Sequence, residues 1–188
     1  MAWAWLYPLS GFGTRAGSAS ETRSRAALLR RVARALEAAR RGDCGCVLLR
    51  LQLGGVDTLL EAHGEKFVET ALSVVAERLR RLVRAEDLVA RTGAAEFAVL
   101  AQEVDGPMRV AGEAIARRIA GSLTRPYGVD GVRFELGLRL GIAGFPDDAD
   151  DAAGLLLGAS QALHAARRSD GDTWRFAAPI PAVRRPRG

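Results

Sequence analysis

The chain has 188 residues, a formal net charge of +5, 48% apolar residues and 26% charged residues. This length and composition indicate one globular domain that is large enough to bury a core. No apolar run approaches the roughly 18 residues of a membrane-spanning helix, so no membrane span is expected. Lys66 is the only lysine, and the abundant arginines fit either an anionic partner or solvated helix faces.

The N-terminal region divides into an extension and a helix. Residues 1–19 are apolar at first and Gly-rich later, and they lack the basic segment that opens a secretory signal peptide. Apolar residues then recur at spacings of three and four, which predicts a helix over about 21–41 that ends at Gly42.

A central strand and two helices are expected next. The stretch CGCVLLRLQL, residues 44–53, is rich in apolar residues and predicts a buried strand. Gly54 and Gly55 end this strand. Helices are predicted over about 56–63 and 66–83.

The strand carries two cysteines, Cys44 and Cys46. A structural zinc site needs four ligands, and the two histidines, His63 and His164, lack paired spacing. We therefore expect reduced thiols in a cytoplasmic protein.

The second half of the chain is predicted to contain a β-hairpin, two helices, two strands and a disordered tail. In chain order these are the hairpin over 87–100, a helix over 106–123, a strand over 133–145, a helix over about 151–168, a strand at TWRF and a Pro- and Arg-rich tail over 178–188. The order of elements predicts an α+β domain over residues 20–177, with helices flanking a mostly antiparallel sheet.

Two long stretches carry a family resemblance. RAEDLVARTGAAEFAVL resembles an Arg-x-x-Asp pair followed by an Arg-x-Gly-Gly-Asp-Glu-Phe signature, and LGIAGFPDDADDAAGLLLGASQALHAARRSDGD resembles the C-terminal segments of the same family. The chain thus resembles a GGDEF domain, with the palm-like fold of the diguanylate cyclases. The resemblance implies synthesis of cyclic di-GMP from two GTP molecules with carboxylate-bound magnesium.

The signature of this chain departs from the family pattern at the metal ligands. It keeps the first glycine, the glutamate and the phenylalanine, and it replaces the second glycine and the metal-binding acid. In order, the signature positions are Gly93, Ala94, Ala95, Glu96 and Phe97. The other metal-binding aspartate of the family matches Gln52. The sequence therefore predicts a lost magnesium site, no cofactor, and a chain that is not an enzyme, with Glu96 packing or capping locally.

The nucleotide-binding positions of the family are only partly kept. The guanine-binding asparagine matches Leu60, and Asp57 stands where a lysine is usual. The guanine-binding aspartate matches Glu69 and the phosphate-binding lysine matches Arg167. These last two residues are residual nucleotide-site candidates.

A second site of the family, which binds the product and inhibits the enzyme, matches this chain better. Its Arg-x-x-Asp pair falls on Arg84 and Asp87, and its further arginine, from the next helix, falls on Arg118. An arginine fork can pair with guanine O6 and N7, and a carboxylate can accept hydrogen bonds from guanine. The alternative is that Arg84 interacts with a helix C-terminus and Asp87 is a turn residue.

Three functions stay open from the sequence. The first is a catalytically inactive GGDEF domain that acts as a cyclic di-GMP receptor. The second is a non-binding interaction or dimerisation scaffold, with a phosphodiesterase or sensor domain or a second copy as partner. The third is a weak diguanylate cyclase. A nucleic-acid role is not expected, because the basic RRPRG segment is short and lacks aromatic residues.

Overall fold

A computed structural model of the chain describes residues 19–169, 171 and 173–179. The predicted N-terminal extension and C-terminal tail therefore lie outside the described residues, except for Ala19, which begins the first helix, and residues 178–179. The elements are α1 (Ala19–Gly42), β1 (Gly45–Gly54), α2 (Val56–Arg80), β2 (Leu88–Arg91), β3 (Glu96–Val104), α3 (Met108–Leu123), β4 (Tyr127–Val129), β5 (Val132–Phe134), β6 (Gly137–Phe145), α4 (Ala152–Arg167) and β7 (Trp174–Phe176).

Five strands form one sheet in the order β2-β3-β1-β6-β7. The pairs β2–β3, β3–β1 and β1–β6 are antiparallel, and β6–β7 is parallel. The central strand β1 is almost wholly buried, as expected of its apolar run. The predicted α+β class with a mostly antiparallel sheet is confirmed.

The sheet separates two hydrophobic cores, because successive side chains of a strand point to opposite faces. On β1, Val47, Leu49 and Leu51 pack with α2 and α3 on one face. Cys46 and Leu48 pack with α1 and α4 on the other face. Helices therefore cover both faces of the sheet.

The predicted strand over 133–145 is not continuous. β5 ends at Phe134 and β6 begins at Gly137, and β5 pairs with β4 in a separate two-stranded sheet. Asp130 and Gly131 join β4 to β5 with φ angles of 49° and 80°. An Asp-Gly pair with positive φ is typical of a tight hairpin turn, and it was the available sequence signal for this hairpin.

The two helices predicted over 56–63 and 66–83 form one element that bends at Gly64, where φ is 79° and ψ is 173°. The helix ends at Arg80, three residues before the predicted end. No helix in the described part of the chain is long and apolar enough to cross a membrane.

Candidate functional site

The signature forms the turn of the β2–β3 hairpin at one edge of the sheet. The Thr92 N–H donates to the Glu96 carbonyl at 2.8 Å, which closes the turn. The Ala95 carbonyl accepts from the Leu53 N–H at 2.9 Å, which joins the turn to the end of β1. Phe97 is buried in the core, whereas Ala94 is exposed. The turn is therefore held by main-chain bonds on both sides.

Arg91 fastens the same turn to α2. Its Nη1 and Nη2 atoms donate to the two carboxylate oxygens of Glu69 at 2.8 and 3.0 Å. Its Nε and Nη2 atoms also donate to the carbonyls of Gly93 and Ala94 at 3.1 and 2.9 Å. Glu69, predicted as a guanine-binding candidate, is thus engaged by Arg91. Sequence reasoning missed this contact.

Glu96 is paired across the sheet. Its carboxylate lies 2.8 Å from Nη2 of Arg50 on β1, and Nη1 of Arg50 donates to the Ser160 hydroxyl of α4 at 3.3 Å. The expected role of Glu96 was local, and the contact is instead to a residue 46 positions away. The available signal was a lone arginine within the apolar run of β1, since a half-buried cation usually has a partner.

These residues surround a pocket of about 850 Å³ that we call the hairpin pocket. Its wall comes from β1, the start of α2, the signature turn, α1 and α4. The charged or polar side chains in that wall are those of Arg50, Gln52, Asp57, Thr92, Glu96 and Ser160. The remaining side chains are mainly leucines and alanines, so the pocket is amphipathic. Neither Glu69 nor Arg167 lines it in the described part of the chain.

The residues at the hairpin do not fit the magnesium site that the family resemblance implies. Magnesium prefers carboxylate and other hard oxygen ligands. Gln52 supplies an amide, Ala95 supplies a methyl group, and Glu96 has one oxygen bound to Arg50. Within the described residues no group of three or more histidines, cysteines or acids converges as a metal site.

Asp87 holds the turn between α2 and β2. Its side chain is buried, and its two oxygens accept from the Arg84 N–H at 2.9 Å and from the Gln102 N–H at 3.1 Å. The side chain of Arg84 is exposed, as is that of Arg118 on α3. Arg167 is exposed in the last turn of α4. The sequence-predicted Arg-x-x-Asp pair is therefore a structured turn with its guanidinium directed away from the core.

Comparison with known proteins identifies the family. The family model described as "Diguanylate cyclase, GGDEF domain" matches residues 19–173. The bifunctional diguanylate cyclase/cyclic di-GMP phosphodiesterase MucR of Pseudomonas aeruginosa is 31% identical over 137 residues, which cover 73% of this chain and 20% of MucR. Diguanylate cyclase TpbB of the same species is 38% identical over 112 residues, which cover 58% of this chain and 25% of TpbB.

The fold comparison agrees with the sequence comparison. A solved structure of TpbB from P. aeruginosa that comprises only its GGDEF domain superposes with a TM-score of 0.76 at 32% identity. The superposition covers 82% of this chain and 89% of that chain. This chain spans a quarter or less of the full length of the two curated relatives.

These findings correct one prediction. From Gln52 and Ala95 we predicted that the chain is not an enzyme. This prediction is wrong, because the matching family is that of the diguanylate cyclases. The replacements at positions 52 and 95 affect one metal site, and they do not decide whether the domain is active. The match over residues 19–173 includes every element of the sheet except the last strand. The chain belongs to the GGDEF-domain family of diguanylate cyclases.

Proposed function

We propose that this GGDEF domain binds cyclic di-GMP at Arg84, Asp87 and Arg118 and acts as a regulatory module of cyclic di-GMP signalling. The proposal is supported by the exposure of the two arginine side chains and by their lack of bonded partners. In the described part of the chain, the guanidinium groups of Arg84 and Arg118 are exposed and have no hydrogen bond or ion pair. Arg50, by contrast, is bound to another side chain.

The chemistry of these side chains suits a guanine dinucleotide. An arginine fork can donate to guanine O6 and N7, and a second arginine can hold a phosphate. An ionised carboxylate has about four lone-pair positions, and the two backbone N–H donors leave acceptor capacity on Asp87. The backbone bonds fix the carboxylate, which lowers the ordering cost of binding.

The second candidate is the family activity, synthesis of cyclic di-GMP. The family match over residues 19–173 and the 38% identity to TpbB favour it. Glu96 of the signature turn also lines the hairpin pocket. Incubation of the chain with GTP and magnesium, followed by chromatography of the products, measures this activity directly.

A protein partner belongs to the same proposal. MucR is a bifunctional diguanylate cyclase/cyclic di-GMP phosphodiesterase, and this chain is 31% identical to it over 137 residues. We therefore infer a phosphodiesterase or sensor domain, or a second copy of this chain, as the recipient of the signal. The expected compartment is the cytoplasm.

Calorimetric titration with cyclic di-GMP tests the binding proposal. Arg84→Ala and Arg118→Ala should each weaken binding roughly tenfold or more, because each removes one charged contact to the ligand. Arg117→Ala is the matched control, since Arg117 is also exposed on α3 but pairs with Glu113 at 2.7 Å. Absence of heat at high micromolar ligand, or unchanged binding by Arg84→Ala, would contradict the proposal.

A further inference from the structure

Positive charge is concentrated on one helix of the domain. The sequence of α1 contains seven arginines and two glutamates, a net charge of +5 that equals the net charge of the whole chain. The formal charges of all residues outside α1 therefore sum to zero. Such an asymmetry is typical of a protein that meets an anionic partner.

The two helical layers of the domain differ in the same way. α1 and α4 cover one face of the sheet, and the sequence of α4 adds one arginine and no acid. We call these two helices the basic layer. α2 and α3 cover the other face, and their sequences together contain six basic and six acidic residues. The basic layer is therefore strongly cationic, whereas the opposite layer is neutral.

The arginines of α1 form an exposed row. At about 100° per residue, Arg30, Arg34 and Arg41 lie within about 40° of one another around the helix, and Arg31 flanks them. All four side chains are exposed, and none has a hydrogen bond or ion pair within the described residues. Two exposed arginines of α2 and α3, by contrast, pair with a glutamate of their own helix. The charge of the row is therefore available to a partner.

Acidic residues approach the basic layer at one end. Asp150 and Asp151 are exposed in the loop before α4. Arg40 reaches this loop, because its Nη2 atom donates to the Asp150 carbonyl. Arg34 and Arg30 lie between about 9 and 15 Å from Arg40 along the helix axis, so their charge is not compensated by these acids.

The basic layer also carries two exposed leucines. Leu29 precedes Arg30 in α1 and is 39% exposed, and Leu157 of α4 is 58% exposed. Both line the hairpin pocket, so they belong to one region of the layer. Large apolar side chains gain free energy when they leave water. A nucleic-acid backbone would satisfy the arginines and leave the leucines in water, whereas the interface of an anionic membrane satisfies both.

We propose that the basic layer docks on the surface of a membrane that contains anionic phospholipid. The arginine row contacts the charged headgroups, and Leu29 and Leu157 enter the boundary between headgroups and acyl chains. This contact is peripheral and needs no spanning helix, and the described residues contain none. Arg118 belongs to α3 in the opposite layer and Arg84 follows α2, so the surface is separate from the site proposed for cyclic di-GMP.

Vesicle flotation of the purified chain tests the proposal. Vesicles of phosphatidylcholine alone are compared with vesicles that contain about one third phosphatidylserine, and binding to the anionic vesicles should be roughly tenfold tighter or more. Added salt should weaken this binding, since the arginines are exposed. The measurements are made without nucleotide, because a ligand in the hairpin pocket would lie against the same leucines.

Two pairs of arginine replacements locate the charged contact. Arg30→Gln/Arg34→Gln should weaken binding to the anionic vesicles by roughly tenfold or more, because each arginine near an anionic surface contributes about fivefold. Arg80→Gln/Arg81→Gln is the matched control, since it removes the same charge from exposed side chains at the end of α2 in the opposite layer. The control pair should change the affinity by less than about twofold.

A leucine variant tests the apolar contact. Leu157→Ser should weaken binding to the anionic vesicles several-fold, because it removes an apolar side chain from the interface. Val110→Ser is its control, because Val110 is 66% exposed on α3 in the opposite layer, and it should leave the affinity unchanged. Circular dichroism and the thermal unfolding midpoint establish that each variant is folded.

Three results would each overturn the proposal. The first is no binding to the anionic vesicles, or equal binding to the two kinds of vesicle. The second is an equal loss of affinity in the two arginine pairs. The third is binding to a DNA duplex or to poly-glutamate that is as tight as binding to the anionic vesicles and unaffected by Leu157→Ser, which would identify a nucleic acid or an acidic protein as the partner.

Discussion

Glu69 and Arg91 are joined by two parallel hydrogen bonds of 2.8 and 3.0 Å, and the same guanidinium also binds two carbonyls of the signature turn. Their side chains are 27% and 14% exposed, so the pair is largely shielded from water. A planar fork that meets a carboxylate in this way is specific to arginine. The orientation of the signature turn relative to α2 therefore depends on Arg91.

Arg91→Met should lower the free energy of unfolding by about 2–4 kcal/mol, because it leaves the Glu69 carboxylate half-buried without a cation. Urea unfolding followed by circular dichroism measures the change. The control is Arg81→Met, which removes an exposed pair with Glu77 at 3.2 Å and should cost less than about 0.5 kcal/mol. Equal costs for the two variants would show that the pair does not hold the turn.

We expect that the fold does not tolerate a side chain at Gly141 of β6. A Cβ at Gly141 would lie 2.1 Å from the Ala159 carbonyl oxygen and 2.1 Å from the Leu163 backbone nitrogen of α4. Backbone atoms of a packed helix cannot move away cheaply, so Gly141→Ala should destabilise the fold by about 3 kcal/mol or more.

At a glycine of α3, replacement by alanine is expected to raise the stability of the fold. A Cβ at Gly121 meets nothing within 4 Å, and Gly121 is exposed in the helix. Gly121→Ala should therefore stabilise the chain by up to about 1 kcal/mol, through the higher helix propensity of alanine. Thermal unfolding of the two variants beside the parent chain measures both effects. A tolerated Gly141→Ala would mean that α4 packs less closely on β6.

The long elements could be predicted because their residues repeat with a regular period. The helix over 21–41 and the strand over 44–53 differ from α1 and β1 by one or two residues. The β4–β5 hairpin was missed because each strand has three residues, too few to show a period. The Asp130-Gly131 pair of its turn was the only sequence signal from which this hairpin could have been predicted.

The contacts of the candidate site could not be predicted from spacing. Arg50 and Glu96 are 46 positions apart, and Glu69 and Arg91 are 22 positions apart. Such pairs form because the sheet order places β1 beside β3 and α2 against β2. The residue types suggested partners, and only the topology decides which partners meet.

Binding of cyclic di-GMP, if it uses Arg84, Asp87 and Arg118 as proposed, should not require a metal ion. Two guanidinium groups already supply positive charge for the phosphates. We expect the same affinity in magnesium and in EDTA, and a weaker affinity at high salt because the two arginine side chains are exposed. Calorimetry in the three buffers measures this. A strict magnesium requirement would point to a different binding site.

Asp148 is a buried acid with incomplete hydrogen bonding. Its side chain is 1% exposed, and Oδ2 accepts from the Gly144 N–H at 2.9 Å. Oδ1 has no hydrogen bond among the described residues, and Nη2 of Arg109 lies 3.8 Å from it. Burial raises the pKa of Asp148 above its ordinary value, although the Gly144 N–H and Arg109 oppose the shift.

The raised pKa of Asp148 makes the stability of the fold depend on pH. Above the ordinary aspartate pKa of about 3.9, the unfolded chain releases this proton while the folded chain keeps it. The stabilising contribution is therefore complete at lower pH and is lost as the pH rises to the folded pKa. Asp148→Asn keeps an oxygen for the Gly144 N–H and cannot ionise, so its stability should fall less over this range than that of the parent chain. Urea unfolding at half-unit pH steps from acid to neutral compares the two slopes. Identical slopes would show that Asp148 titrates alike in both states and that its burial does not govern its protonation.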